Sequence, residues 1–348
     1  MIQITETLAI GEYQPAFIIA EIGVNHNGDL ELARRLIDIA ADSGASAVKF
    51  QTFKTEKLVT RQAAKADYQT QTTGGEESQF EMLKRLELSP IDHQAVLEYC
   101  RDRKILFLST PFDEDSADFL EQLGVRAYKI PSGEITNLPY LAHIARKSKP
   151  MIVSTGMSTL GEVETAVDTI RENGNPAIAL LHCVSQYPAP PEASNLRAMS
   201  TLAQAFDVPV GFSDHTMGIE IALAAVALGA RVIEKHLTLD RDLPGPDHRA
   251  SVMLEEFRAM VAGIRKVEAA LGDGQKRPAD CESDVRSVAR KSLVTAMDIS
   301  AGTVIERQML TAKRPGTGLL PGMLPAVIGR VAKVDIPVDS LITWELLA

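Results

Sequence analysis

The chain has 348 residues, of which 45% are hydrophobic and 24% charged, enough for two domains or for one large barrel with an appendage, and enough to bury a core without disulfide staples. Its 36 Lys and Arg against 46 Asp and Glu leave a formal net charge of −10, and an acidic chain with no basic block makes nucleic acid and anionic membrane poor partners. The N-terminal stretch lacks the basic region and long apolar run of a signal peptide, and the three cysteines (Cys100, Cys183, Cys281) are too scattered for a disulfide framework or zinc knuckle, so a soluble cytoplasmic protein is expected.

Eight short β-rich runs recur along the first three quarters of the chain. In order they are Phe17–Gly23, Ala47–Thr52, Leu106–Pro111, Ala127–Gly133, Met151–Gly156, Ile178–Cys183, Val210–Thr216 and Val232–Thr238. They lack strict alternation, which suits strands buried on both faces of a parallel sheet. Between them lie helical patterns over Leu30–Ser43, Asp115–Leu123, Leu138–Ser148, Leu160–Asn173, Asn195–Phe206 and Ile219–Leu228, the first preceded by Asn27-Gly28-Asp29 as a cap. Eight such units predict an α/β fold of the (β/α)₈ TIM-barrel kind. A doubly wound sheet is the rival, but no G-x-G-x-x-G follows the first strand.

One interval is irregular. The polar stretch Thr60–Ser78 lies between the second and third strands, and long loops of this kind either cover a site or form a mobile surface insertion. After a helix over Glu255–Leu271 the character changes. Residues 1–271 read as the barrel domain, 272–284 as a linker, and 285–348 as a small β-rich module of short strands and Pro/Gly turns. Trp344 is expected to anchor that tail.

In a (β/α)₈ barrel the C-terminal strand ends converge on one mouth. Those ends carry Glu21, Lys49, Gln51, Ser109, Thr110, Lys129, Ser132, Glu134, Ser154, Thr155, His182, Tyr187, Ser213, Asp214, His215, Glu234, Lys235 and His236. Unpaired charges are costly to remove from water, so this density predicts a wet pocket that meets a charged ligand. His215 and His236, near the ends of adjacent strands, are placed to share a divalent ion, with Mn²⁺, Mg²⁺ or Co²⁺ preferred over a closed zinc site; a hydrogen-bonded pair of core histidines is the alternative. Lys49 and Lys129, with the hydroxyls of Thr110, Ser132, Ser154 and Ser213, form a candidate phosphate ring. Asp247, in the turn Pro244-Gly245-Pro246-Asp247-His248, is either a carboxylate for substrate hydroxyls or a turn former. His26 is either functional or a turn residue, His93 and His143 are structural, and Cys183 is packing.

Taken in order, AEIGVNHNGDL, AVKFQTF, STPFDEDS, KIPSGEITNLPYL, STGMSTLGE, GFSDHTMGIE, VIEKHLTLDRDLPGPDHRAS and KRPGTG resemble the sialic acid (N-acetylneuraminate) synthase family, legionaminate synthases included, over essentially the whole chain. The resemblance implies a barrel followed by an antifreeze-like (SAF) domain. It implies condensation of phosphoenolpyruvate with an open-chain N-acetylated hexosamine and water, giving a nonulosonic acid and phosphate, with Mn²⁺ or Mg²⁺ as cofactor and a domain-swapped homodimer. It implies that His215 and His236 hold the metal and that Lys49, Thr110, Lys129, Ser132, Ser154 and Ser213 bind phosphoenolpyruvate. Gln51, Tyr187, Asp247 and, from a partner chain, Arg314 would contact the sugar, while Glu21, Glu134 and Glu234 would be the catalytic carboxylates. N-acetylmannosamine and a 2,4-diacetamido-6-deoxy sugar are both admitted as acceptor, and Ser185 departs from the Asn found there in some family members. Outside this class, the chain would be a non-catalytic carbohydrate-binding scaffold.

Overall fold

The computed structural model describes all residues, Met1–Ala348. The chain divides into two compact units, Met1–Gly272 and Asp273–Ala348. The first opens with a short antiparallel pair, β1 (Ile2–Gln3) and β2 (Ala9–Ile10). Eight parallel strands follow: β3 (Phe17–Glu21), β4 (Ala47–Thr52), β5 (Leu106–Pro111), β6 (Tyr128–Ile130), β7 (Met151–Ser154), β8 (Ile178–Cys183), β9 (Val210–Asp214) and β10 (Val232–His236). Their order is β5-β4-β3-β10-β9-β8-β7-β6, and β5 and β6 pack against each other across the remaining seam. This is a nearly closed TIM-like barrel.

The outer helices are α1 (Leu30–Asp42), α5 (Pro90–Asp102), α6 (Glu114–Leu123), α7 (Leu138–Ala145), α8 (Leu160–Glu172), α9 (Ala198–Phe206), α10 (Glu220–Ala227) and α11 (Leu254–Leu271). Asp29 caps α1, accepting from the Glu31 and Leu32 amides, which satisfies donors that a helix start leaves orphaned. The main apolar core lies between strands and helices. A second cluster fills the barrel interior, where Phe17, Ile19, Ala47, Leu108, Ala127, Ile152, Leu181 and Val232 meet Ile2, Ile4 and Ile10. The β1–β2 pair, too short to show as an apolar run, therefore contributes to the barrel's inner core.

Alternation along the strands explains what comes next. Successive side chains point to opposite faces, so the inward positions after those apolar residues are Glu21, Lys49, Lys129, Ser154, Ser213 and Glu234. Each strand is thus apolar at its inner start and polar at its inner end. At Gly211, also on β9, a Cβ would lie 2.3 Å from the Val232 carbonyl oxygen, so only glycine lets β9 and β10 approach this closely.

The interval between β4 and β5 is helical, not an irregular loop: α2 (Thr55–Leu58), α3 (Asp67–Thr73) and α4 (Gln79–Lys84) precede α5. Their shortness and polar sequence hide them from a periodicity reading. No helix is long and apolar enough to cross a membrane.

The second unit has its own core, including Leu293, Ile299, Ile305, Leu310, Val327, Ile336 and Ile342. It carries α12 (Ser283–Ala289), then β11 (Ser292–Thr295) paired antiparallel with β12 (Leu310–Lys313), then α13 (Leu324–Val327). The expected β-rich module from residue 285 thus opens on helix, its first residues through Ala289 belonging to the exposed α12. Trp344 is 40% exposed with the Arg330 guanidinium over its ring, 5.2 Å from the centroid; it caps the surface instead of anchoring the core.

Candidate functional site

The inward polar positions open into a cavity of about 430 Å³ at the C-terminal end of the strands. Glu21, Lys49, Gln51, Thr110, Lys129, Ser132, Ser154, Tyr187, Ser213, His215, Glu234, His236 and Asp247 all line it. Two ion pairs form its floor. Lys49 pairs with Glu21 and donates to Thr110 at 3.0 Å. Lys129 lies 3.4 Å from Glu234 and donates to Ser154 at 2.8 Å. Gln51 donates to Glu21 at 3.1 Å, and Ser213 donates to Glu234 at 2.8 Å.

The two carboxyls differ in character. Burial pushes Glu21 up to about 8 against the pull of Lys49, with the Glu234 charge adding to the rise. Glu234 is held down to about 2, because Lys129, Lys49 and Ser213 overcome the cost of its burial. One carboxyl that keeps its proton beside one that stays ionised is a pairing suited to acid–base work. Burial lowers Lys129, while for Lys49 the carboxylates outweigh burial and raise it. Burial also raises Asp247 to about 7. Glu234 Oε2 is buried without a hydrogen-bond partner.

His215 and His236 are neighbours, with ring centroids 5.6 Å apart. The Val184 carbonyl accepts from His215 Nδ1 at 2.7 Å, which leaves Nε2 as a free lone pair beside Ser213 Oγ at 3.3 Å. His236 Nδ1 is buried and unpartnered, 3.9 Å from Asp247. Burial lowers His215 to about 4 and His236 well below its ordinary value, so both stay neutral as ligand imidazoles must. The unpartnered nitrogen, the free lone pair and the facing carboxylate fit a divalent cation. These three groups are not drawn tightly enough together to make a closed ligand cluster by themselves, so ligand positions would be left open for water or substrate. Tyr187 packs on both imidazoles, with centroids 4.2 and 5.6 Å away.

Several expected mouth residues lie elsewhere. Glu134 does not line the cavity; it sits in the 3₁₀ turn Ser132–Glu134 beyond β6 and accepts from Asn137 at 2.7 Å. Asp214 and Lys235 fall at outward strand positions, where they form a fully buried pair at 2.7 Å behind the barrel wall. Ser109 and Thr155 also stay out of the cavity, Ser109 with Thr52 at 2.7 Å and Thr155 donating to the Leu181 carbonyl at 3.0 Å. His182 turns outward instead, its Nε2 donating to the Ser194 carbonyl at 2.8 Å. For Asp214, Lys235, Ser109, Thr155 and His182 the cause is shared: adjacent positions at a strand end face opposite ways, and not every charge there is wet. His93 and His143 are structural, on Thr52 and Asp118 respectively. His26 is fully buried, its Nδ1 accepting from the Gly28 amide at 3.0 Å. Arg314 is exposed in the second unit, just after β12.

The insertion takes the first of its two expected roles, and Cys183, expected as packing, also reaches the cavity. Leu58, Val59, Tyr68, Gln69, Gln79, Met82 and Leu83 all line the cavity, so the segment is a cover and not a mobile appendage. Tyr68 stacks on Tyr187 at 5.1 Å. Cys183 lines the cavity and touches Ser132 at 3.2 Å, with its thiol pushed up by burial.

The NeuB family profile matches residues 36–276 and the SAF domain profile residues 290–348. The chain is 48% identical over 339 residues to N,N'-diacetyllegionaminic acid synthase of Legionella pneumophila, covering 96% of this chain and 95% of that one. It is 36% identical to human N-acetylneuraminate-9-phosphate synthase, over 97% and 94% of the two chains. Among solved structures, the spore coat polysaccharide biosynthesis protein of Bacillus subtilis is similar with a TM-score of 0.68 and 39% identity, over 99% of this chain and 98% of that one. A barrel whose inner strand ends carry two lysine–carboxylate pairs beside two neutral imidazoles, followed by a separate SAF unit, thus belongs to the NeuB family.

Proposed function

We propose that the cavity joins phosphoenolpyruvate to the aldehyde carbon of an open-chain N-acetylated hexosamine and adds water, giving a nonulosonic acid and inorganic phosphate. The observation that carries this reading is the convergence, in one cavity, of two lysines, a ring of hydroxyls and the imidazole pair. Lys49 and Lys129, with Thr110, Ser132, Ser154 and Ser213, would hold the phosphate and carboxylate of the donor as charge-assisted hydrogen bonds. Gln51, Tyr187 and Asp247 would contact the sugar beside the imidazoles. Holding both substrates in one orientation removes the entropic part of a bimolecular barrier.

We assign His215 and His236 as ligands for a divalent cation, Mn²⁺ or Mg²⁺. When bound, such an ion supplies Lewis-acid polarisation of the sugar aldehyde. The protein's own groups handle charge and protons. The enol carbon of the donor attacks the aldehyde carbon, leaving positive charge at donor C2, which the ionised Glu234 stabilises. Water adds there, and phosphate leaves by C–O cleavage. Glu21, which keeps its proton near neutrality, would give that proton to the alkoxide formed on the aldehyde oxygen and, then ionised, take one back from the adding water, while the C2 hydroxyl proton leaves with the phosphate as the ketone forms. A phosphate arriving at Lys49 draws the ammonium away and raises Glu21 further, since like charges resist a second ionisation. Glu134, turned away from the cavity, has no part in this scheme.

The acceptor we favour is a 2,4-diacetamido-6-deoxy sugar, supported by 48% and 49% identity to two N,N'-diacetyllegionaminic acid synthases against 36% to N-acetylneuraminate-9-phosphate synthase. We also propose a homodimer in which Arg314 of one chain reaches the sugar in its partner's cavity, with the whole reaction taking place in the cytoplasm. Phosphate release from phosphoenolpyruvate with Mn²⁺ tests the core of this reading across a panel of N-acetylated hexosamines. Release that depends on one of these acceptors is expected; silence with all of them contradicts it.

A further inference from the structure

The cavity has two unlike ends. Its floor is charged, but the wall supplied by the insertion and its neighbours is apolar. Val24 and Met82 are buried members of one cluster with Phe53 and Leu86, against which Leu58, Leu83 and Phe112 pack half-buried. Val24, Leu58, Met82, Leu83 and Phe112 also line the cavity. The polar side chains that the insertion adds are Tyr68 and the uncharged carboxamides Gln69 and Gln79, the latter donating to the former at 3.3 Å.

This wall carries no positive charge. Lys49 and Lys129 are the only basic residues lining the cavity besides the imidazoles, and both belong to the floor. The insertion does hold cations, but none lines the cavity: Lys57 pairs with Asp115, Lys65 with Glu77 at 3.0 Å, Lys84 with Glu56 at 2.9 Å and Arg85 with Glu77 at 2.8 Å, while Arg61 lies over the Phe80 ring at 5.5 Å and Lys54 is exposed.

We propose that this apolar wall is the subsite for the far end of the acceptor, and that it selects a methyl-terminated sugar over a hydroxymethyl-terminated or 6-phosphorylated one. The inference rests on the reaction proposed above. If the aldehyde carbon is held at His215 and His236 and the donor occupies the lysine floor, carbon 6 of an extended acceptor is left with the insertion wall. The donor contributes three carbons, so this atom becomes carbon 9 of the product. A methyl group there buries against Met82 and Leu83 at no polar cost. A hydroxyl loses water without a partner, and a phosphate brings a dianion to a wall to which the surrounding barrel contributes no cation. Apolar pockets discriminate weakly against a single added hydroxyl, by about a hundredfold at most.

The test compares N-acetylmannosamine with its 6-deoxy and 6-phosphate derivatives, using the full chain, Mn²⁺ and phosphoenolpyruvate. We expect kcat/KM to rank methyl above hydroxymethyl by about tenfold to a hundredfold, with the phosphate ester lowest. Leu83→Gln should narrow the methyl-to-hydroxymethyl ratio while leaving the KM for phosphoenolpyruvate unchanged. A hydroxymethyl or phosphate acceptor used as well as the methyl one overturns the inference, although the condensation itself then stands. Calorimetric titration of the same three sugars reads the ranking without turnover. If no acceptor releases phosphate, the reaction fails, and the subsite is upheld or overturned by the order of the three affinities alone.

Discussion

At the scale of single residues, burial keeps several histidines neutral. Burial lowers His26 and His248 to about 4 and lowers His93 as well. In the unfolded chain these imidazoles titrate near 6.5, so between about 6.5 and 4 the unfolded state binds protons that the folded state refuses. The stability they contribute is complete above 6.5 and is lost progressively as the pH falls toward 4. Urea unfolding across that window should show stability falling on acidification, and His93→Gln should make the fall shallower. An unchanged midpoint from pH 7 to pH 4.5 would contradict the burial assigned to them. The motif residues themselves were legible: Lys49, Lys129, Glu234, His215 and His236 stand where the strand ends in the sequence place them. Glu134 was not, because its strand stops at Ile130 and the following 3₁₀ turn re-aims its side chain. Nothing in a one-dimensional pattern marks that turn.

At the scale of elements, alternation divides the strand ends into two chemistries. Glu234 and His236 face the cavity, whereas Lys235 between them points outward to Asp214, with neither side chain exposed. Lys235 also donates to the Thr216 carbonyl at 2.6 Å, and the Asp214 carboxylate accepts from the Thr216 amide at 2.9 Å. This network joins β9 and β10 directly behind the imidazole pair. Lys235→Met leaves a buried carboxylate without its cation, which costs about 3–5 kcal/mol. Chemical denaturation should register a loss of that order; a loss below about 1 kcal/mol would mean that the pair is solvated and not buried. The strand starts were readable because each begins with an apolar run between turn residues. The short helices α2, α3 and α4 were not, since their apolar residues are too few to set a period and face a cavity instead of the core.

At the scale of the whole molecule, the chain is two units with separate cores. The change of composition after residue 271 reveals that division, but a composition change says nothing about which barrel a tail serves. If Arg314 acts in its partner's cavity, Arg314→Ala and Lys129→Ala chains should each be nearly inactive alone. Mixed, they should regain part of the activity, because some mixed dimers carry one intact composite site. Absence of any recovery after subunit exchange, verified by mass, would place Arg314 in its own chain's site or in none.

The central claim is that one cavity forms a carbon–carbon bond and then expels phosphate by breaking the donor's C–O bond. Phosphoenolpyruvate labelled with ¹⁸O at the bridging oxygen tests it most directly. With Mn²⁺ and acceptor present, the released phosphate should carry the label, and release should stop when the acceptor is withheld. Unlabelled phosphate, or release that ignores the acceptor, would show P–O hydrolysis and contradict the account.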